Sequence, residues 1–264
     1  MNELGFLDGI YESDYEQYAD LLCKRDQLYK ESSSILIAYT KEFGDLITQN
    51  FEKKIECIKL KKMIAFCQAK INRGESVDVQ KMNDTIEQEL TMYYQELQDM
   101  VATNKAAKDS VTIDEIRVSR SKKIYRRLAK KLHPDVNEKT HSNEKLRELW
   151  DRIVKAYRES DTEELENLEV LTKRVLEELG DDGIEIKLES LKERIERITK
   201  EINEILSTEP YIYREILEDE ERIEKRKEEL KAEQKEFRKY QTELTEVLDN
   251  LIGGGGFNVV WRMN

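Results

Sequence analysis

The stretch of sequence richest in chemistry is His133-Pro134-Asp135, reached through the run Ser121-Lys122-Lys123-Ile124-Tyr125-Arg126-Arg127-Leu128-Ala129-Lys130-Lys131-Leu132. An imidazole and a carboxylate two residues apart suit proton transfer or metal ligation, but both need further partners. A metal site built from His133, Asp135 and His141 has no familiar ligand spacing, and no Cys-x-x-Cys pair offers another. There is no Gly-rich phosphate loop and no nucleophile beside a base, so the chain reads as neither an enzyme nor a binder of cofactor or metal. Charge is what remains. From Arg117 to Lys131 there are eight basic residues (Arg117, Arg120, Lys122, Lys123, Arg126, Arg127, Lys130, Lys131) and no acidic one. An exposed helix normally mixes signs, because opposite charges four residues apart stabilise it. A purely basic run is therefore read as a docking face rather than an ordinary solvated surface.

Helices must hold this segment in place. Ile124, Leu128 and Leu132 share one helical face, with Lys122, Arg126, Arg127 and Lys130 crowding the others. Proline ends the helix at His133, since the residue before proline is pushed out of the helical region. Asp135 and Asn137 satisfy loop backbone groups. A second helix is expected from Ser142 and Asn143, presenting Leu146, Leu149, Trp150, Ile153, Ala156 and Tyr157 at steps of three and four. Ser160-Asp161 ends or bends it, and Leu165, Leu168 and Leu171 follow on a short third helix. The result is an antiparallel pair whose ten-residue loop carries His133, Pro134 and Asp135.

On either side the spacing predicts longer helices. Residues 14–73 read as one or two, with Ser32-Ser33-Ser34 and Gly44 as possible interruptions. Asn72-Arg73-Gly74 is a stop, and Ser76 a cap for a helix over about 78–104 carrying Met82, Ile86, Leu90, Tyr93, Leu97 and Met100. Leu188, Leu191, Ile195, Ile198, Ile202 and Ile205 form a heptad seam ending before Pro210. Ile223, Leu230, Phe237, Leu244 and Leu251 recur at strict sevens on a last helix. The predicted fold is all-α: elongated helical hairpins or coiled coil flanking a small helical module. The expected domains are 1–108, a helical stalk; 109–172, the basic module; 173–252, a coiled-coil hairpin; and 253–264, a Gly linker with an apolar tail. In that tail Phe257-Asn258-Val259-Val260-Trp261 either clips onto the protein itself or is presented to a partner.

Composition agrees. Charged residues make up 39% of the 264, against about a quarter in ordinary domains, and there are only 2 prolines. That suits exposed helices with narrow apolar stripes. No apolar run approaches the roughly 20 residues that span a bilayer, and three cysteines are no disulfide framework. A soluble, cytoplasmic protein with no membrane role is expected. The net charge is −12. Setting the basic run aside leaves 37 basic against 57 acidic side chains, a net −20, which disfavours nucleic acid as a partner.

The segment from Tyr125 to Asp135 resembles helix II and the His-Pro-Asp loop of the J domain, the module of DnaJ-type co-chaperones. The Tyr-Arg-Arg-Leu-Ala-Lys-Lys core and its spacing to His133 match without a gap, and Leu149, Ile153, Ala156 and Tyr157 resemble helix III. The stretch from Asp161 through Leu165 to Leu168 resembles endings of bacterial J domains embedded in coiled-coil chains. About a quarter of the sequence is covered. One departure stands out: the family's helix I, with Tyr-x-x-Leu, is echoed nearest by Tyr94 and Leu97, more than twenty residues upstream of Lys122. Either the end of the N-terminal stalk replaces helix I, or the module is truncated. The resemblance implies a co-chaperone that stimulates the ATPase of a DnaK-type heat-shock chaperone. In that case Lys122, Arg126, Arg127 and Lys130 steer docking, Tyr125 is a contact, and His133, Pro134 and Asp135 form the trigger, with Asp135 pairing to an arginine of the chaperone. The long helices would then hold a client protein or join two copies in a homodimer. A coiled-coil scaffold whose J domain no longer stimulates is the alternative.

Overall fold

The computed structural model describes residues 3–110, 115–179 and 191–253. Among them there is no β-strand, and the chain is all-α. Its helices are α1 (Glu3–Asn72), α2 (Val79–Asp109), α3 (Glu115–Leu132), α4 (Glu138–Ser142), α5 (Glu144–Arg158), α6 (Thr162–Glu178), α7 (Leu191–Ser207), α8 (Arg214–Leu217) and α9 (Glu220–Gly253). No helix among the described residues is long and apolar enough to cross a membrane. The contacts group the chain into two compact units otherwise than in serial order. Residues 1–35 join 111–212, and residues 36–110 join 213–264. The helices α7 and α9, expected to form one hairpin, thus belong to different units. The apolar tail and Leu188 lie outside the described residues.

The helix boundaries follow local chemistry. The first helix runs through Ser32–Ser34 and Gly44 without a break. The hydroxyls of Ser33 and Ser34 bond back to the carbonyls of Tyr29 and Lys30, as serines inside helices do. It stops at Gly74, which adopts φ +66°, with the Glu75 N–H closing onto the Lys70 carbonyl. Asp78, not Ser76, caps α2, accepting from the Lys81 N–H. The helix begins at Val79, which leaves Ser76 too far upstream to reach its first amides.

In the second unit α2 runs antiparallel to residues 36–72 of α1. Cys67 meets Met82 near the turn, and Lys108 pairs with Asp45 at 2.6 Å at the far end. Gly44 permits the close approach, since a Cβ there would lie 2.5 Å from Asn104 Oδ1. Of the sevenfold repeat of α9, Leu230 is buried and Ile223, Phe237, Leu244 and Leu251 are half-buried; Leu248, outside the repeat, is its other buried residue. Leu230 packs with Tyr39 and Phe43, and Leu248 with Met82, Ile86 and Leu90.

The first unit holds the basic helix. Its main core joins Ile124, Leu128 and Leu132 of α3 to Leu146, Trp150 and Ile153 of α5 and to Leu165 and Leu168 of α6. A smaller core joins Tyr18 and Leu22 of α1 to Val136, Leu191 and Ile198. The seam of α7 therefore packs against the start of α1 and the loop after α3.

Candidate docking site around the His133–Asp135 loop

The loop is built by hydrogen bonds that its own sequence supplies. The His133 N–H still donates to the Ala129 carbonyl, prolonging the α3 pattern by one residue before Pro134. Its carbonyl then accepts from the N–H groups of Val136 and Asn137, both at 2.8 Å. Asn137 closes the turn twice. Its Nδ2 donates to the Lys131 carbonyl at 2.9 Å, and its Oδ1 caps α4 through the Lys139 N–H. Asn143 caps α5 in the same way, accepting from Lys145 and Leu146. These caps turn the chain back so that α3 and α5 pack through one core.

His133 itself faces inward. It is 6% exposed and meets Trp150 edge-on, with ring centroids 4.9 Å apart. The Asp135 N–H donates to its Nδ1 at 3.1 Å, which leaves Nε2 to carry the proton of the neutral ring. Asp26 Oδ2 lies 3.9 Å from that Nε2, and Arg25 Nη2 lies 3.5 Å from it. Burial lowers the pKa of His133 below its ordinary value, against the opposing pull of Asp135 and Asp26. Pro134 is half-buried, and Asp135 is the exposed member of the three, its side chain 44% accessible. Arg194 of α7 donates to the Asp135 carbonyl at 3.1 Å.

Tyr125, expected as a contact, is instead a core residue. It is 3% exposed, stacks on Tyr157 with centroids 4.0 Å apart, and donates its hydroxyl to Asp26 Oδ2 at 2.6 Å. Burial and the Asp26 charge hold its pKa well above the ordinary phenol value. The apolar stripe of α3 is wider than Ile124, Leu128 and Leu132 alone suggest. Ser121, Tyr125 and Ala129 are buried beside them, and Cys23 and Asp26 of α1 pack on that flank at Tyr125.

The basic side chains fall into two stripes. Lys122, Arg126 and Lys130 recur every four residues on the α1 side, and Lys123, Arg127 and Lys131 do so on the α6 side. Arg126 grips Asp20 of α1 with two N–H groups, at 3.0 and 2.5 Å, and Lys130 lies 3.6 Å from Asp20 and 3.7 Å from Glu16. Arg127 grips Glu169 of α6 at 2.6 and 2.8 Å, and Arg120 reaches Glu166 at 2.5 Å. Arg126 and Arg127 each keep more than half of their side chains exposed despite these pairs. Lys122 and Lys123 are exposed as well.

The N-terminal part of α1 is the element that sequence reading missed. Besides Asp20, Arg25 and Asp26 it supplies Lys30, whose ammonium donates to the Tyr157 carbonyl and to Ser160 Oγ, both at 2.6 Å, and caps the end of α5. Burial brings the pKa of Lys30 down to about 8. Cys23 is enclosed by the same contacts, and burial beside Asp26 and Asp20 pushes its thiol up to about 12. One signal was in the sequence. The Tyr-x-x-Leu spacing sought at Tyr94 also occurs at Tyr18–Leu21, and this is the copy packed near the loop.

No protein-family model, curated protein or solved structure matches the chain. Among the described residues no cluster of His, Cys, Asp and Glu is arranged to hold a metal ion.

Proposed function

We propose that this chain is a J-domain co-chaperone. Its basic helix α3 docks on a negatively charged surface of a DnaK-type heat-shock chaperone, and its His133-Pro134-Asp135 loop stimulates that chaperone's ATPase. The observation that carries the reading is the placement of this tripeptide at the turn of a capped helical hairpin. The cationic side chains of Lys122, Lys123, Arg126 and Arg127 stand exposed on the helix that leads into it. The basic face attracts an acidic partner, while the net negative charge of the rest of the chain disfavours nucleic acid. The exposed Asp135 carboxylate supports an ionic contact with an arginine of the partner, a charge-assisted bond that asparagine does not replace.

The protein is expected to raise the steady-state ATPase rate of purified bacterial DnaK, and Asp135→Asn or His133→Gln to abolish the effect while helicity by circular dichroism is retained. A specific observation favours the second reading, a scaffold with a non-stimulating J domain: His133 is buried, and Arg126 and Lys130 already have acidic neighbours on α1. Absence of stimulation by the wild type would select it.

A further inference from the structure

The acidic neighbours of α3 and the arginine at Asp135 come from the chain itself, and together they complement the face assigned to docking. Asp20 occupies the guanidinium fork of Arg126, and Asp20 with Glu16 flanks Lys130. At the loop, Arg194 holds the Asp135 backbone carbonyl while Arg25 stands beside His133. These groups sit on the two helices, α1 and α7, that share the small core of Tyr18, Leu22, Val136, Leu191 and Ile198. Residues 16–30 balance three acids with three bases, but the two acids Glu16 and Asp20 face the basic helix and an arginine holds the loop that ends it, which is the charge pattern of a partner surface. We infer that residues 16–30 of α1, together with α7, form a built-in cover over the docking face, and that a partner chaperone engages it fully only after displacing this cover. The inference rests on the co-chaperone reading above.

The strength of the cover decides whether it regulates or simply blocks. The Arg126–Asp20 and Lys130–Asp20 pairs are partly exposed, and such pairs contribute modestly and are screened by salt. They are exchangeable, and an acidic groove of higher charge density outcompetes them. The deeper contacts, Tyr125 with Asp26 and Lys30 with Tyr157, fix where the segment returns. A place for the helix to part also exists. The boundary between the two units falls after Ile35, next to Ser32–Ser34. There two serines bond back to their own helix, a pattern that weakens and bends helices, and the buried Ser32 hydroxyl has no protein partner. A break at those serines lets residues 16–30 leave α3, at the cost of uncovering Tyr18, Ala19, Leu22 and Leu28, which are buried in the first unit.

The test compares the wild-type chain with Glu16→Lys/Asp20→Lys, which turns attraction on the α1 side into repulsion, and with Arg194→Glu at the loop. Purified DnaK with ATP is the probe. A masked fraction raises the apparent dissociation constant in proportion. The charge-reversed chains are therefore expected to reach half-maximal ATPase stimulation at about three- to tenfold lower concentration than wild type, and Asp135→Asn is expected to remove stimulation from them as well. An unchanged half-maximal concentration with wild-type stimulation intact overturns the cover and leaves the docking reading standing. No stimulation by any of these chains overturns both. A measurement on the unaltered protein guards against a misfolded variant. Amide hydrogen exchange over residues 18–30 is expected to accelerate several-fold when ATP-loaded DnaK is added, and unchanged or slower exchange there contradicts the inference.

Discussion

At the residue scale, Asp26 holds the site together. Its carboxylate takes the Tyr125 hydroxyl, the Arg25 guanidinium and the approach of the His133 ring. Burial disfavours protonation of His133, which faces Arg25 and Asp26 from α1, Asp135 from its own loop and His141 beyond it. Because its folded pKa lies below about 6.5, the unfolded chain takes up the proton first as the pH falls. The stabilisation is complete above about pH 6.5 and is lost progressively as the pH drops toward the folded pKa. Urea unfolding at pH 7.5 and 5.5 is expected to show a larger loss for wild type than for His133→Gln. Equal losses would mean that the ring is not held neutral by its surroundings. The tripeptide and its basic approach were legible in the sequence, because spacing along one helix needs no tertiary information. The burial of Tyr125 and His133 was not, since Arg25 and Asp26, about a hundred positions earlier, join Trp150 and Tyr157 around them only once the chain has folded.

At the element scale, the helices and most of their stops were legible. Apolar steps of three and four gave α2, α3 and α5, and the sevens from Ile223 to Leu251 gave the course of α9 and its buried Leu230 but not its buried Leu248. The unbroken course of α1 was not. Three serines and a glycine read locally as breakers, yet Gly44 sits where α2 comes close, and there a missing side chain is a packing requirement. Gly44→Leu is expected to destabilise the protein by about 1–3 kcal/mol in urea unfolding, the usual range for overpacking, because even its Cβ would collide with Asn104. A neutral or stabilising outcome would show that α2 yields at this point.

At the scale of the whole molecule, composition and charge indicated an all-α chain with one basic face, and the structure has the all-α fold. Serial order misled about grouping. Contacts join the first 35 residues to 111–212, and no periodicity within α1 marks where its allegiance changes. Glu16, Asp20 and Asp26 look like three more acids on an acidic protein until folding sets them beside Arg126, Lys130 and Tyr125. The basic helix and the loop that ends it are consequently elements of the first unit.

The central claim, that the His133-Pro134-Asp135 loop acts on a DnaK-type chaperone, is tested most directly by single-turnover ATP hydrolysis in preformed DnaK–ATP complexes. The wild-type chain is predicted to accelerate hydrolysis, less so as salt is raised, and Asp135→Asn to leave the rate at its basal value. A rate unchanged by the wild-type chain, or an acceleration that survives Asp135→Asn, would contradict the account.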